Sequence, residues 1–248
     1  MPMESVPSSP GRPTMVFALG PLRLTGWRAA VAMAVVIALL VALIRYIAPA
    51  HPTGESRWDS IRNNWPISVS TLLWVVFSVY WSIAARNASA AKSAESSGSR
   101  QFHLLLLNGS LLLLLIPVPG LRARFLPDSP AVIAIGLTVQ SAFLALALVA
   151  RQHLGRNWSG DVTVKVDHAL VRSGPYRRIR HPIYTAMIGM YLGTALVSGQ
   201  THALLAVAII VAAYWRKIGL EETALRGEFG TAFDEYRRES WALFPGIW

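Results

Sequence analysis

The chain contains no cysteine. That absence removes disulfides, thiolate metal sites, a catalytic thiol and S-palmitoylation from consideration. Charge is scarce as well. Asp, Glu, Lys and Arg make up 15% of the 248 residues, while 53% are hydrophobic. Soluble domains carry about a quarter charged residues, so the missing charge is the informative deviation. The apolar residues also cluster in long uncharged runs instead of amphipathic stripes, which points to lipid as the solvent and not to a larger soluble core. No His/Glu spacing reads as a metal site, and Ser159 has no nucleophile elbow around it. The formal net charge of +10 lacks the aromatic-interleaved basic patches of nucleic-acid binders. In a membrane protein such an excess marks loops that face anionic lipid.

Residues 1–26 are rich in Pro, Ser and Gly and are expected to be a disordered tail. Four long apolar spans follow, at about 28–47, 66–85, 101–117 and 130–150, each long enough for a hydrocarbon core of about 30 Å. The first is read as a retained membrane helix, since no small-residue cleavage site precedes a soluble domain. Trp27, Tyr46, Trp65 and Trp81 sit near span ends, where amphipathic rings favour the interface. Two shorter apolar stretches, 182–197 and 202–215, flank Ser198-Gly199-Gln200 and read as a tight helical hairpin. With the N-terminus inside, 18 of the 23 Lys and Arg residues fall on the cytoplasmic side. The fold expected is therefore an all-α polytopic membrane protein. It has a four-helix transmembrane region over 27–150, then a region over 151–248 that holds the hairpin of 182–215 and a cytoplasmic tail. Both termini and the 151–181 segment are expected in the cytoplasm.

The densest polar stretch runs from Leu154 to Gly193 and contains HALVRSGPYRRIRHPIY, residues 168–184; a second cluster, Arg216, Lys217, Glu221 and Glu222, follows the hairpin. Both lie at the open end of that hairpin, so the topology brings them together. Next comes FGTAFDEYRRES, which puts Phe229, Phe233 and Tyr236 on one side of a helix along the membrane surface. The ordered combination H-x-L-V, G-x-Y, R-H-P-x-Y, E-E and F-G-x-x-[YF]-x-x-Y resembles the isoprenylcysteine carboxyl methyltransferase family. It is similar more broadly to the related membrane phospholipid methyltransferases. The resemblance covers roughly residues 150–245.

That resemblance implies S-adenosylmethionine as cofactor and a lipophilic methyl acceptor reached through the bilayer, with no metal and no nucleic acid. It also implies which residues surround the cofactor: His168, Ala169, Leu170 and Val171; Tyr176; His181, Pro182, Ile183 and Tyr184; and Glu221. It assigns Arg180 and Lys217 to the acceptor and the chemical step. Two positions depart from the family pattern: Lys217 stands where the isoprenylcysteine enzymes have Arg, and Ala186 where they usually have Gly. The residue types suit the ligand. A sulfonium is met by aromatic faces, an amino group by a carboxylate and adenine by an apolar slot. Glu222 competes with Glu221 for the amino group. The acceptor's identity stays open among a carboxylate, a hydroxyl and an amine.

Plainer readings stand beside these. Arg177 and Arg178 are ordinary positive-inside residues, Met187 and Tyr191 are core, and His51, His103 and His202 are interfacial. The Glu221-Glu222 pair can equally be a solvated helix start. As a whole-chain alternative, a membrane sterol or lipid reductase would use NADPH, with Arg177 and Arg178 against its 2′-phosphate. A non-catalytic membrane scaffold is the second alternative.

Overall fold

A computed structural model describes residues 16–19, 22–25, 57–84, 96–158 and 170–246. The span at 28–47 and the residues His168 and Ala169 lie outside the described residues. Two short strands, β1 (Val16–Leu19) and β2 (Leu22–Thr25), pair antiparallel with Val16 opposite Thr25, within the stretch expected to be disordered. The Val, Phe, Leu and Thr of these segments carry β propensity that the Pro/Gly/Ser content of the whole tail hides.

Six α-helices follow among the described residues: α1 (Arg57–Ala84), α2 (Ser97–Leu115), α3 (Pro130–Leu154), α4 (Pro182–Ser198), α5 (Thr201–Phe229) and α6 (Thr231–Glu239). Local chemistry sets their ends. Ser96 and Ser129 cap α2 and α3 by accepting from the N–H groups of Ser99 and Val132, and Pro130 occupies the first turn of α3. Gly199 closes α4 in the left-handed conformation at φ 63°, where a Cβ would be strained.

The expected bounds of the hairpin require correction. Among the described residues three helices are long and apolar enough to cross a membrane: Asn64–Ala84, Pro130–Leu154 and Thr201–Phe229. The segment expected as 101–117 forms α2 but is not among them, because Ser97, Ser99, Arg100, Gln101 and Asn108 dilute its apolar run. The return arm of the hairpin, expected to stop near 215, instead continues as one helix to Phe229. The span expected at 66–85 also begins earlier than its apolar run: α1 starts at Arg57, so Pro66 is inside the helix. Hydrophobicity marks the length of helix that lipid covers, and polar turns extend beyond it.

The α1, α3 and α4 helices meet around a buried polar knot. Ser70 Oγ donates to Gln140 Oε1 at 2.7 Å, Gln140 Nε2 donates to the Ser70 carbonyl at 3.0 Å, and Trp74 Nε1 donates to Thr194 Oγ1 at 3.0 Å. In a lipid-facing bundle such bonds specify which helix faces meet. The closest approach is between α3 and α4, where a Cβ on Gly193 would lie 2.6 Å from the backbone nitrogen of Gln140. At one end, the loop after α2 lies along the hairpin tip, with the Thr201 and His202 N–H groups donating to Ala123 and Leu121 carbonyls. The open end of the hairpin is at the opposite face, and the polar clusters gather there.

Candidate active site

Residues 174–177 form a 3-10 turn, after which the chain runs extended through Arg180 and His181 into α4. This short run is clamped by the C-terminal segment. The N–H groups of Arg180 and His181 donate to the carbonyls of Trp241 and Ala242 at 2.8 and 3.1 Å, and Trp241 N–H donates to the Arg178 carbonyl at 2.8 Å. With Pro182 in the first turn, His181 is the N-cap of α4 but makes no side-chain cap bond, so its ring is free for tertiary partners.

Those partners come from α5. Tyr214, Lys217, Ile218, Glu221 and Glu222 recur at intervals of three and four, and so share one face of a continuous helix. His181 Nδ1 lies 3.4 Å from Glu221 Oε2, and its Nε2 lies 3.4 Å from Glu222 Oε1. The second contact is an ion-pair distance without hydrogen-bond geometry, since Nε2 has no hydrogen-bond partner. Tyr184, one turn into α4, donates its hydroxyl to Glu221 Oε1 at 2.5 Å. Its ring stacks between His181, at 5.5 Å and 5°, and Tyr214, at 4.5 Å and 18°. The result is a row of parallel aromatic faces beside a buried carboxylate.

Glu222 sits differently. Its Oε1 accepts from Arg180 Nε at 2.8 Å and its Oε2 lies 3.3 Å from Arg237 Nε. Arg180 Nη1 also donates to the carbonyls of Ser240 and Arg237. Expected to face an acceptor, Arg180 is buried and these donors are committed within the chain. Two guanidinium groups already balance Glu222. Glu221 is held by a neutral phenol and an imidazole, with Lys217 acting on it electrostatically. Of the two carboxylates, Glu221 is the one that a further cationic group suits.

Burial alone would lower the pKa of His181, but the facing carboxylates of Glu221 and Glu222 outweigh it and raise the pKa above 6.5. Burial raises the Tyr236 phenol to about 12, so it remains a donor, and it does donate, to the Tyr176 carbonyl at 2.5 Å. Tyr176 itself is buried and its phenol is pushed up for the same reason. Leu170 and Val171 are half-buried, and Pro182 and Ile183 are buried at the start of α4. Arg177 and Arg178 are exposed. The helix α6 buries Phe233 and Tyr236 as the sequence indicates, whereas Phe229, expected on the same helix, is the last residue of α5 and half-buried, because Gly230 breaks the run. Sequence reasoning missed Tyr214, which completes the aromatic row. The signal was its seven-residue spacing to Glu221, visible only once α5 is continued past Lys217.

Apolar spans, a helical hairpin and a carboxylate–aromatic cluster at its open end define a polytopic helical membrane protein with a buried polar site. The pattern of the Isoprenylcysteine carboxyl methyltransferase (ICMT) family matches residues 134–227, which include His181, Tyr184, Tyr214, Glu221 and Glu222 but not α2, α6 or the C-terminal clamp. The Schizosaccharomyces pombe (strain 972 / ATCC 24843) protein-S-isoprenylcysteine O-methyltransferase is 31% identical over 88 residues. That match covers 34% of this chain and 37% of the relative's length. In fold, the chain is similar to the structure of a eukaryotic intramembrane Ras methyltransferase ICMT without a monobody. The TM-score is 0.51 at 20% identity, over 89% of this chain and 75% of the other. The resemblance carried by the His-Pro and Glu-Glu motifs thus holds.

Proposed function

We propose that the chain is an integral membrane methyltransferase that moves a methyl group from S-adenosylmethionine to an acidic oxygen of a lipophilic, isoprenylcysteine-like acceptor. The observation that carries this reading is the Glu221 carboxylate beside the row His181, Tyr184 and Tyr214. The residue types fit the cofactor: a carboxylate for its amino group and π faces for its sulfonium. The matches over 134–227 and to the yeast enzyme support the same chemistry.

Bound there, the cofactor would supply an electrophilic methyl: an oxygen–carbon bond forms, the carbon–sulfur bond breaks with its electron pair left on sulfur, and a carboxylate acceptor releases no proton. The chain's own contribution is alignment and exclusion of water. Tyr184 and His181 hold Glu221 in place, and Leu170, Val171, Tyr176, Pro182 and Ile183 supply apolar wall, joined by His168 and Ala169 on the resemblance. Lys217, buried one turn before Glu221, is the cation for the acceptor. Arg180 acts as a positioning residue, fixing the His181 turn to α5 through Glu222. The cytoplasmic side is the proposed location of the site and of both termini, which gives a soluble cofactor access. Titrating the purified protein with S-adenosylhomocysteine and with NADPH tests the reading: saturable binding of the first supports it, and binding of NADPH alone overturns it.

A further inference from the structure

We propose that His103 on α2 is a further positioning residue, one that hydrogen-bonds the acidic oxygen of the acceptor beside Lys217. The inference rests on the methyltransferase reading and names a residue outside the segment matched to the family, since α2 ends before residue 134.

His103 is buried, at 5% exposure, and its Nδ1 has no hydrogen-bond partner. A buried polar atom left without a partner is costly, so its retention needs a reason. Among the other buried histidines of the described residues, His181 belongs to the site itself and His202 is satisfied: Nδ1 lies 2.7 Å from the Leu113 carbonyl and Nε2 lies 3.5 Å from Ser198 Oγ. A packing role therefore accounts for His202 and not for His103.

The surroundings identify the task. The His103 ring lies 5.9 Å from that of Tyr214, extending the row His181, Tyr184, Tyr214 across to α2. Lys217, Glu221 and Arg216 are all close enough to act on it electrostatically. The α2 end is held at this distance by Arg216, which donates to Ser99 Oγ and lies over the Phe102 ring at 5.5 Å. An imidazole with its proton on Nδ1 donates, and a donor next to a buried ammonium suits an anionic oxygen. Glu221 already has its own donors, from Tyr184 and His181. The ligand left for His103 is the one that arrives from the bilayer.

The test measures binding, so it does not depend on turnover. The probes are N-acetyl-S-farnesylcysteine and its methyl ester, titrated into the full chain in nanodiscs with S-adenosylhomocysteine present. Wild type is expected to bind the free acid about tenfold more tightly than the ester. His103→Phe should reduce that preference to within about twofold while leaving S-adenosylhomocysteine affinity unchanged. His103→Asn, whose amide N–H can replace Nδ1–H, should keep most of it. If the Phe variant loses cofactor affinity, and so its fold, His103→Leu takes its place in the comparison. A preference that survives both apolar variants overturns the inference alone, as does its loss in Asn and Phe equally, which would mean a packing role. Wild type that binds S-adenosylhomocysteine but neither probe overturns the acceptor reading and His103 with it.

Discussion

Removing the charge of Glu222 should open the C-terminal clamp without removing the cofactor. The perturbation is Glu222→Gln, nearly isosteric. In the native protein the Glu222 side chain is 10% exposed and that of Arg180 3%, with Nε and Oε1 2.8 Å apart. Deleting one partner of a buried pair costs about 3–5 kcal/mol because a charge is stranded. Here the loss is smaller, since glutamine retains an acceptor and Arg180 keeps the Ser240 and Arg237 carbonyls. About 2–3 kcal/mol remains, the upper part of the range of hydrogen bonds to charged groups. If that cost falls on local opening, the Arg180, His181 and Trp241 amides, which bond across the clamp, should exchange roughly 30- to 160-fold faster. Hydrogen exchange read by mass spectrometry on peptides covering 178–184 and 238–244 measures this, with the exposed Glu228→Gln on the same helix as the control that leaves exchange alone. Protection in Glu222→Gln unchanged to within about twofold would refute the reasoning.

Glu221→Gln should instead weaken S-adenosylhomocysteine binding by about 1.5–3 kcal/mol, read by calorimetric titration, and unchanged affinity would remove Glu221 as the ligand of the amino group. Thr194→Val should cost about 1–2 kcal/mol in equilibrium unfolding in mixed micelles, because it strands Trp74 Nε1 and takes a partner from Ser70; no measurable loss would mean the polar knot is dispensable. Because the folded-state pKa of His181 is raised, its stabilising charge is fully present below about pH 6.5 and is lost as pH climbs through the raised value. Thermal midpoints should therefore fall above that pH in wild type, and His181→Gln should flatten the trend. In this cysteine-free chain, a cysteine placed at Arg177 should react with membrane-impermeant thiol reagents only from the cytoplasmic side, and one at Ser129 only from the other; the reverse pattern would remove the site from its cofactor.

What the sequence revealed was set by where its signals are local. The α3 helix is legible at its start, where Ser129-Pro130 opens an unbroken apolar run, but the run ends at 150 while the helix continues to Leu154, because Arg151 and His153 end the apolar signal a turn early. The turn of the α4–Gly199–α5 hairpin is legible because Ser198-Gly199-Gln200 separates two apolar runs. The α5 helix was cut short because Arg216, Lys217, Glu221 and Glu222 end the apolar signal, although tertiary partners, not solvent, take up much of that charge. Arg180 illustrates the limit most clearly. Its motif position marked it as important, but its partners Glu222 and Ser240 lie 42 and 60 residues away, and pairing at that range leaves no periodicity to read. His103 carried no motif at all, and only its missing partner distinguishes it from His202.

The most direct measurement is transfer of a labelled methyl from S-adenosylmethionine to N-acetyl-S-farnesylcysteine by the purified protein in nanodiscs, with the product tested for release of label by base. A base-labile methyl ester formed by wild type and strongly reduced in Glu221→Gln is the expected result. Wild type that binds the cofactor yet transfers no label to this acid or to a total lipid extract would contradict the account.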